Sequence, residues 1–436
     1  MVRLWIVLPL LAGCPRQPSG PDLDRAQAEA VARTFVGELA ARDFDRARGR
    51  FDATMKRSLS RDQLAKIWHG TLERFGDFDQ VTSVRTDRKQ SLVAAILTTR
   101  FARAELDLRV VLTPSKQVTG FWIKPARGSK TTAAKFPPPP YASKPEERAV
   151  TTGVKGLPLP GKLSLPRRGR SLPAVVLVHG SGPNDMDETV GANKPFRDLA
   201  WGLAARGVAT LRYQKRTRQF PEKFGSNKRY TIDQEVVDDA RAAVALLART
   251  PRIDSKRIFV VGHSLGGMLA PRIARDEPRL AGIVILAGPT RPLEVLIVEQ
   301  TRRLAPDKLR EMEAFARRVQ DPALKPDDTV MILGQTTSAS YWLDLRGYDP
   351  ARTAAALRRP ILVLHGGRDY QVEVVDFEGW KRALAGRSDV RLRLFPNLNH
   401  LFITGKGPST PAEYQRPGHV AQEVVAEIAT FLGGGR

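Results

Sequence analysis

Two hydrophobic periods follow one another along this chain, and the change between them divides it. In residues 22–125, helical spacing comes first and strand spacing second. Val31, Phe35 and Leu39 recur every four residues, as one face of a helix requires. Ser60-Arg61-Asp62-Gln63 reads as a capping box that opens a second helix carrying Leu64, Ile67 and Phe75. Strand-like runs follow at 92–99, 106–112 and 118–123, where Leu106, Leu108 and Val110 alternate with Asp107 and Arg109. Helices followed by a curved antiparallel sheet predict a small α+β cone.

From residue 150 to 436 the strands become short and almost wholly apolar, at 174–178, 258–261 and 361–364. Such runs suit strands covered on both faces, so this part reads as α/β with a mostly parallel twisted sheet. Val390, Leu392 and Leu394 alternate with arginines, and Val420, Val424, Ile428 and Leu432 form a helical stripe. Between 289 and 358 the pattern is interrupted. Leu293, Leu296, Ile297, Leu304, Leu309, Met312, Phe315 and Val319 stand at near-helical spacing and predict a helical cap. Residues 126–149 contain Phe136-Pro137-Pro138-Pro139-Pro140-Tyr141, which predicts an extended, semi-rigid linker; a strap packed on one domain is the alternative.

The candidate chemistry sits where strands end. Gly262-His263-Ser264-Leu265-Gly266 follows an apolar strand and runs into helix-competent residues. Strand, sharp turn, serine and helix make a nucleophile elbow, with glycines where strand and helix approach closely. Asp369 follows the strand at 361–364 in a glycine-rich loop, and His400 follows the one at 390–395. A serine hydroxyl needs a neutral imidazole to take its proton, and the imidazole needs a carboxylate to fix its tautomer. Asp376 is the alternative acid and His419 the alternative base; His419 opens the C-terminal helical stripe and reads as a helix-start residue. The loop His179-Gly180-Ser181-Gly182 follows another buried strand. It predicts an oxyanion hole made by the amides of Leu265 and Ser181, with Gly182 as the near alternative. His179 and His263 read as scaffold beside these loops, and His69 as an ordinary helix residue. No histidine pair has metal-ligand spacing, so no metal is expected.

Four stretches together resemble the α/β-hydrolase superfamily, and within it a bacterial esterase-like group. They are HGSGPND at 179–185, NKPFRDLAWGLAARGVATLRY at 193–213, GHSLGGMLAPRIA at 262–274 and HGGRDYQV at 365–372. The resemblance spans residues 150–434. It implies the α/β-hydrolase fold and a serine carboxylic-ester hydrolase with a catalytic triad of Ser264, Asp369 and His400, an acyl-enzyme and no cofactor. Gln214 departs from the pattern, since relatives often carry aspartate there, which puts substrate preference in doubt. Tyr341 and Trp342 in the cap, with Tyr370, are expected to line the acyl pocket. The front domain more loosely resembles a nuclear-transport-factor-like domain of unknown function, expected to act as a spacer or in dimerisation.

Composition adds a location. Met1-Val2-Arg3 and an apolar run lead to Leu11-Ala12-Gly13-Cys14, similar to a lipoprotein signal over 1–14 whose Cys14 would be lipidated. Cys14 is the only cysteine, which excludes an intrachain disulfide. A membrane partner through a lipid anchor on the bacterial cell envelope is therefore expected. The formal charge is +24, but its arginines and lysines are scattered over both domains without a dense basic run, so no specific nucleic acid partner is expected. Two other classes share parts of this pattern. A serine peptidase or amidase like the prolyl oligopeptidases shares elbow and order, yet the chain is too short to hold their propeller. A non-catalytic envelope binding protein would use the cone and keep the hydrolase as scaffold.

Overall fold

The computed structural model describes residues 23–89, 91–126, 136–225, 229–333 and 335–433. Cys14 and the rest of the signal segment lie outside the described residues. The chain divides into two compact units, with the break between residues 135 and 136.

In the front unit four helices precede four strands. The long helices are Arg25–Ala40 and Arg61–Phe75. The strands β1 (Phe78–Lys89), β2 (Leu92–Phe101), β3 (Ala104–Leu112) and β4 (Val118–Pro125) pair antiparallel in sequence order. Phe35, Leu39 and Trp68 from the helices meet Leu97, Leu108 and Val110 from the sheet in one buried core. The capping box forms as its sequence dictates: the Gln63 amide donates to Ser60 Oγ at 3.2 Å, and the Ser60 amide to Gln63 Oε1 at 2.9 Å. Strand β1 is absent from the sequence reading. Its core-facing Phe78, Val81 and Val84 stand three apart because the register shifts twice against β2, so period-two alternation is lost.

The second unit holds an eight-stranded sheet. Its strands are β5 (Glu146–Thr152), β6 (Leu159–Leu165), β7 (Leu172–Val178), β8 (Ala209–Tyr213), β9 (Ile253–His263), β10 (Leu280–Leu286), β13 (Ile361–Gly366) and β14 (Val390–Phe395). The spatial order is β14-β13-β10-β9-β7-β8-β6-β5, in which β5 and β6 run antiparallel at one edge and the rest are parallel. Apolar side chains cover both faces. Val176, Ile258 and Val260 belong to one buried cluster, and Val175, Phe259 and Val261 to another. This is the α/β-hydrolase fold, and its parallel strands deliver their C-terminal loops to one edge, where ligands bind in such sheets.

The linker differs from the expectation. Residues 127–135 lie outside the described residues, but Phe136 to Tyr141 form a strap on the hydrolase unit. Arg197 donates to the Phe136 and Pro137 carbonyls at 2.9 and 2.7 Å, and the Tyr141 hydroxyl donates to the Val420 carbonyl at 2.6 Å. An extended proline-rich backbone makes no internal hydrogen bonds, so the Phe136 and Pro137 carbonyls are free to take arginine. The sheet itself begins at Glu146, within the segment read as linker.

Between β10 and β13 lies the segment expected to form a cap. It comprises helices Leu293–Leu304, Leu309–Gln320, Ala339–Arg346 and Pro350–Ala356, and a hairpin of β11 (Thr329–Ile332) and β12 (Gln335–Ser338). Ser60→Ala should lower the stability of the front unit by about 1 kcal/mol, measured by denaturant unfolding, and leave the unfolding of the second unit unchanged.

Candidate active site

Ser264 sits at φ 54° and ψ −118°, a region that costs a non-glycine residue about 1–3 kcal/mol. Tight packing enforces the turn. A Cβ on Gly262 would come within 2.1 Å of the Gly266 carbonyl oxygen, and one on Gly266 within 2.2 Å of the Val178 oxygen. The Ser264 amide donates to the Leu286 carbonyl at 2.9 Å, which ties the turn to the neighbouring strand β10. Helix Leu265–Asp276 starts at once, so the Leu265 amide stands at its positive N-terminal end.

The acid and base loops meet beside the elbow. His400 Nδ1 lies 2.6 Å from Asp369 Oδ2, and the Asp369 side chain is fully buried. Asp369 Oδ1 accepts the amides of Gln371 and Val372 at 2.8 and 3.0 Å. The carboxylate is therefore fixed at both oxygens. Burial would raise its pKa, but His400 and these amides hold it below the ordinary carboxylate value. Because Nδ1 must donate to Asp369, Nε2 of the neutral ring is left as the free base. Burial lowers the His400 pKa below the ordinary imidazole value despite the neighbouring carboxylate, which favours the neutral form of the base.

His263 joins elbow to base. Its Nε2 lies 2.9 Å from the His400 carbonyl oxygen, and its Nδ1 lies 2.9 Å from Glu188 Oε2. Nε2 is hydrogen-bonded, whereas Nδ1 and Glu188 Oε2 are in ion-pair contact without the alignment of a hydrogen bond. Burial would depress the His263 pKa, and Glu188 outweighs burial to raise it. The two rings of His263 and His400 are 4.7 Å apart.

The loop after β7 completes the site. A Cβ on Gly180 would stand 3.1 Å from Ser264 Cβ, so this loop passes directly over the serine. The Gly180 amide is already used, donating to Glu188 Oε1 at 2.6 Å. The amides of Ser181 and Leu265 donate to no other described residue and remain available.

The other residues singled out from sequence lie elsewhere. Asp376 is fully buried, but it accepts from the amides of Thr290 and Arg291 and pairs with the Arg291 guanidinium at 2.8 Å, anchoring the start of the cap. His419 pairs with Asp198 at 2.9 Å, between the C-terminal helix and helix Pro195–Ala204. His69 packs edge-on against Phe44 in the front unit. His179 packs against Phe196 and Tyr213 under the oxyanion loop, where burial lowers its pKa to about 4. The three aromatic residues assigned to an acyl pocket are nearly buried and engaged with neighbours. Trp342 packs on Phe315 and donates to Thr337 Oγ1, Tyr341 packs on Tyr230, and Tyr370 stacks on Tyr414.

Sequence reasoning missed Glu188, Lys215 and Glu235. Glu188 holds both Gly180 and His263, yet it lies in a loop at φ 49°, where no periodicity marks it. Its one signal is a carboxylate close behind the HGSGPND stretch.

An elbow serine, a carboxylate–imidazole pair and two free amides at the carboxyl edge of a mostly parallel sheet define a serine hydrolase of the α/β type. Residues 175–414 match the model described as the alpha/beta hydrolase family, and the chain belongs to that family. Residues 32–121 match a protein of unknown function, DUF3887. The chain is 38% identical to esterase EstD of Thermotoga maritima over 91% of its own length and 93% of that protein's. It is 29% identical to a monoacylglycerol lipase of Mycolicibacterium smegmatis over 38% of this chain and 62% of the other. A solved esterase of Pyrobaculum calidifontis aligns at 19% identity and a TM-score of 0.45, over 67% of this chain and 86% of that one.

Gly266→Ala drives a methyl group against the Val178 and His179 carbonyls. It should cost about 3 kcal/mol, at the upper end for overpacking, and lower the thermal midpoint accordingly.

Proposed function

We propose that the protein hydrolyses carboxylic esters through an acyl-enzyme on Ser264. The observation that carries this reading is the Asp369–His400 pair beside the strained serine elbow, at 2.6 Å. Identity to esterase EstD over nearly the whole of both chains supports the ester bond as the target.

In this reading His400 Nε2 takes the Ser264 hydroxyl proton as Oγ attacks the ester carbonyl. The Leu265 and Ser181 amides donate to the developing oxyanion. His400 then protonates the leaving alkoxide, and a water repeats the sequence to release the acid. Asp369 keeps the ring in the productive tautomer and stabilises the imidazolium. The cap, with Tyr341, Trp342 and Tyr370, sets acyl preference; the packing of Trp342 makes it a support of that wall. We further assign the envelope as location, through lipidation of Cys14, and spacing or self-association as the role of the front unit. Among the described residues no helix is long and apolar enough to cross a membrane.

Intact mass after fluorophosphonate treatment tests the nucleophile. One adduct is expected on the wild-type protein and none on Ser264→Ala; an unlabelled, folded wild-type protein contradicts the proposal. An ester panel beside matched amides tests the bond, with esters expected to be turned over far faster. Asp369→Asn should lower kcat by about 10⁴-fold while Asp376→Asn acts on stability, read from steady-state rates and melting curves.

The pH dependence has a definite sign. A base whose pKa is lowered loses its proton at lower pH, so activity should persist below the ordinary imidazole value of about 6.5. A kcat/KM profile with its acid limb centred above 6.5 would exclude His400 as a buried, neutral base.

A further inference from the structure

One buried cation has no part in the triad. Lys215 follows β8 and is only 2% exposed. Its Nζ donates to the Gly180 carbonyl at 2.8 Å and pairs with Glu235 Oε1 at 2.8 Å. An ammonium is costly to bury, and two well-placed acceptors are the least that would hold it there.

The location of its acceptor matters more than the burial. The Gly180 carbonyl belongs to the same peptide unit as the Ser181 amide, the proposed oxyanion donor. In a planar trans peptide C=O and N–H point in opposite directions, so fixing one fixes the other. A cation on the oxygen also draws electron density through the amide and strengthens its N–H as a donor. Asn184 assists, since its Nδ2 lies 3.1 Å from both the Gly180 and Ser181 oxygens, and its own carbonyl accepts the Lys215 amide at 3.1 Å. On the other side of Gly180, the Glu188 carboxylate takes the amide. The residue over the nucleophile is thus held by opposite buried charges at its two polar groups.

The second feature is where Glu235 comes from. It lies on a π-helical turn, Asp233–Val237, a helix defect that often occurs at functional sites. The Glu235 carboxylate also lies close enough to Tyr341, on cap helix Ala339–Arg346, to help raise the tyrosine's pKa. A chain of contacts therefore runs from the cap through Tyr341, Glu235 and Lys215 to the oxyanion peptide.

We propose that Lys215 is a positioning residue for the reaction: it orients and polarises the Gly180–Ser181 peptide, and Glu235 and Tyr341 couple that orientation to the cap. This rests on the ester-hydrolase reading of Ser264. Lys215 touches neither the ester nor the reacting atoms and acts only through the peptide. The role of Tyr341 in acyl preference is then partly indirect, through the neighbouring Glu235 carboxylate.

The test pairs Lys215→Met/Glu235→Gln, which removes both buried charges together, with Tyr341→Phe, which removes one hydroxyl. Each is measured with p-nitrophenyl esters and with an aryl trifluoromethyl ketone, which binds serine as a tetrahedral anion. The double variant should lose about 10- to 100-fold in kcat, less than removal of an oxyanion donor, with KM within about two-fold. Its affinity for the ketone should fall by the same factor. Tyr341→Phe should move kcat and ketone affinity together, by about two- to five-fold. If the double variant does not fold, Tyr341→Phe alone decides the matter by the same pairing. A folded double variant with unchanged kcat, or Tyr341→Phe with unchanged kcat and ketone affinity, overturns the proposal. So does a kcat loss without any loss of ketone affinity, because the defect would then lie in proton transfer. A wild-type protein that neither turns over esters nor takes a fluorophosphonate would instead overturn the underlying reading of Ser264.

Discussion

Every feature of the proposed site depends on the close approach of β9 to helix Leu265–Asp276, which forces Ser264 to φ 54°. The strain is small beside the packing that imposes it. Gly262 and Gly266 leave no room for a side chain, and the Ser264 amide is bound to the next strand. A relaxed turn would drop the hydroxyl towards the sheet and remove the Leu265 amide from the helix start. The same crowding brings Gly180 against Ser264, so nucleophile and oxyanion loop are positioned by one contact.

Around that contact, charge is placed in pairs. Asp369 with His400 forms the proposed proton relay, Glu188 with His263 ties the loop after β7 to the His400 loop, and Lys215 with Glu235 holds the far side of the same loop. Each pair is buried, and each has further hydrogen bonds that offset desolvation. These pairs contribute little net stability by their charges. Their effect is to restrict the loops to one arrangement before substrate arrives, the condition under which fixed dipoles stabilise a transition state effectively.

How much of this could be read beforehand varied with the physics involved. Buried parallel strands are nearly continuous apolar runs, so β7, β9 and β13 were plain in the sequence, and the serine, aspartate and histidine that follow strands could be picked out by position. Strand β1 was invisible because its bulges break the alternation, and β5 because its residues are half-exposed and charged at the sheet's edge. The proline run at 136–141 reads as a spacer, yet it is packed on the hydrolase unit through arginine and tyrosine contacts distant in sequence. Glu188, Lys215 and Glu235 went unseen for a related reason. A loop carboxylate, a lysine after a strand and a glutamate on a π-helical turn carry no local mark, and only the fold brings them to one glycine.

The central claim is that Ser264 carries the acyl group between two half-reactions. Rapid quenching during turnover of a p-nitrophenyl ester, followed by mass analysis of the peptide containing Ser264, tests it most directly. The account predicts an acyl mass on Ser264 that forms with the first burst of p-nitrophenol and decays as substrate is exhausted. Turnover with no acylated Ser264 at any quench time, and no burst, would contradict it.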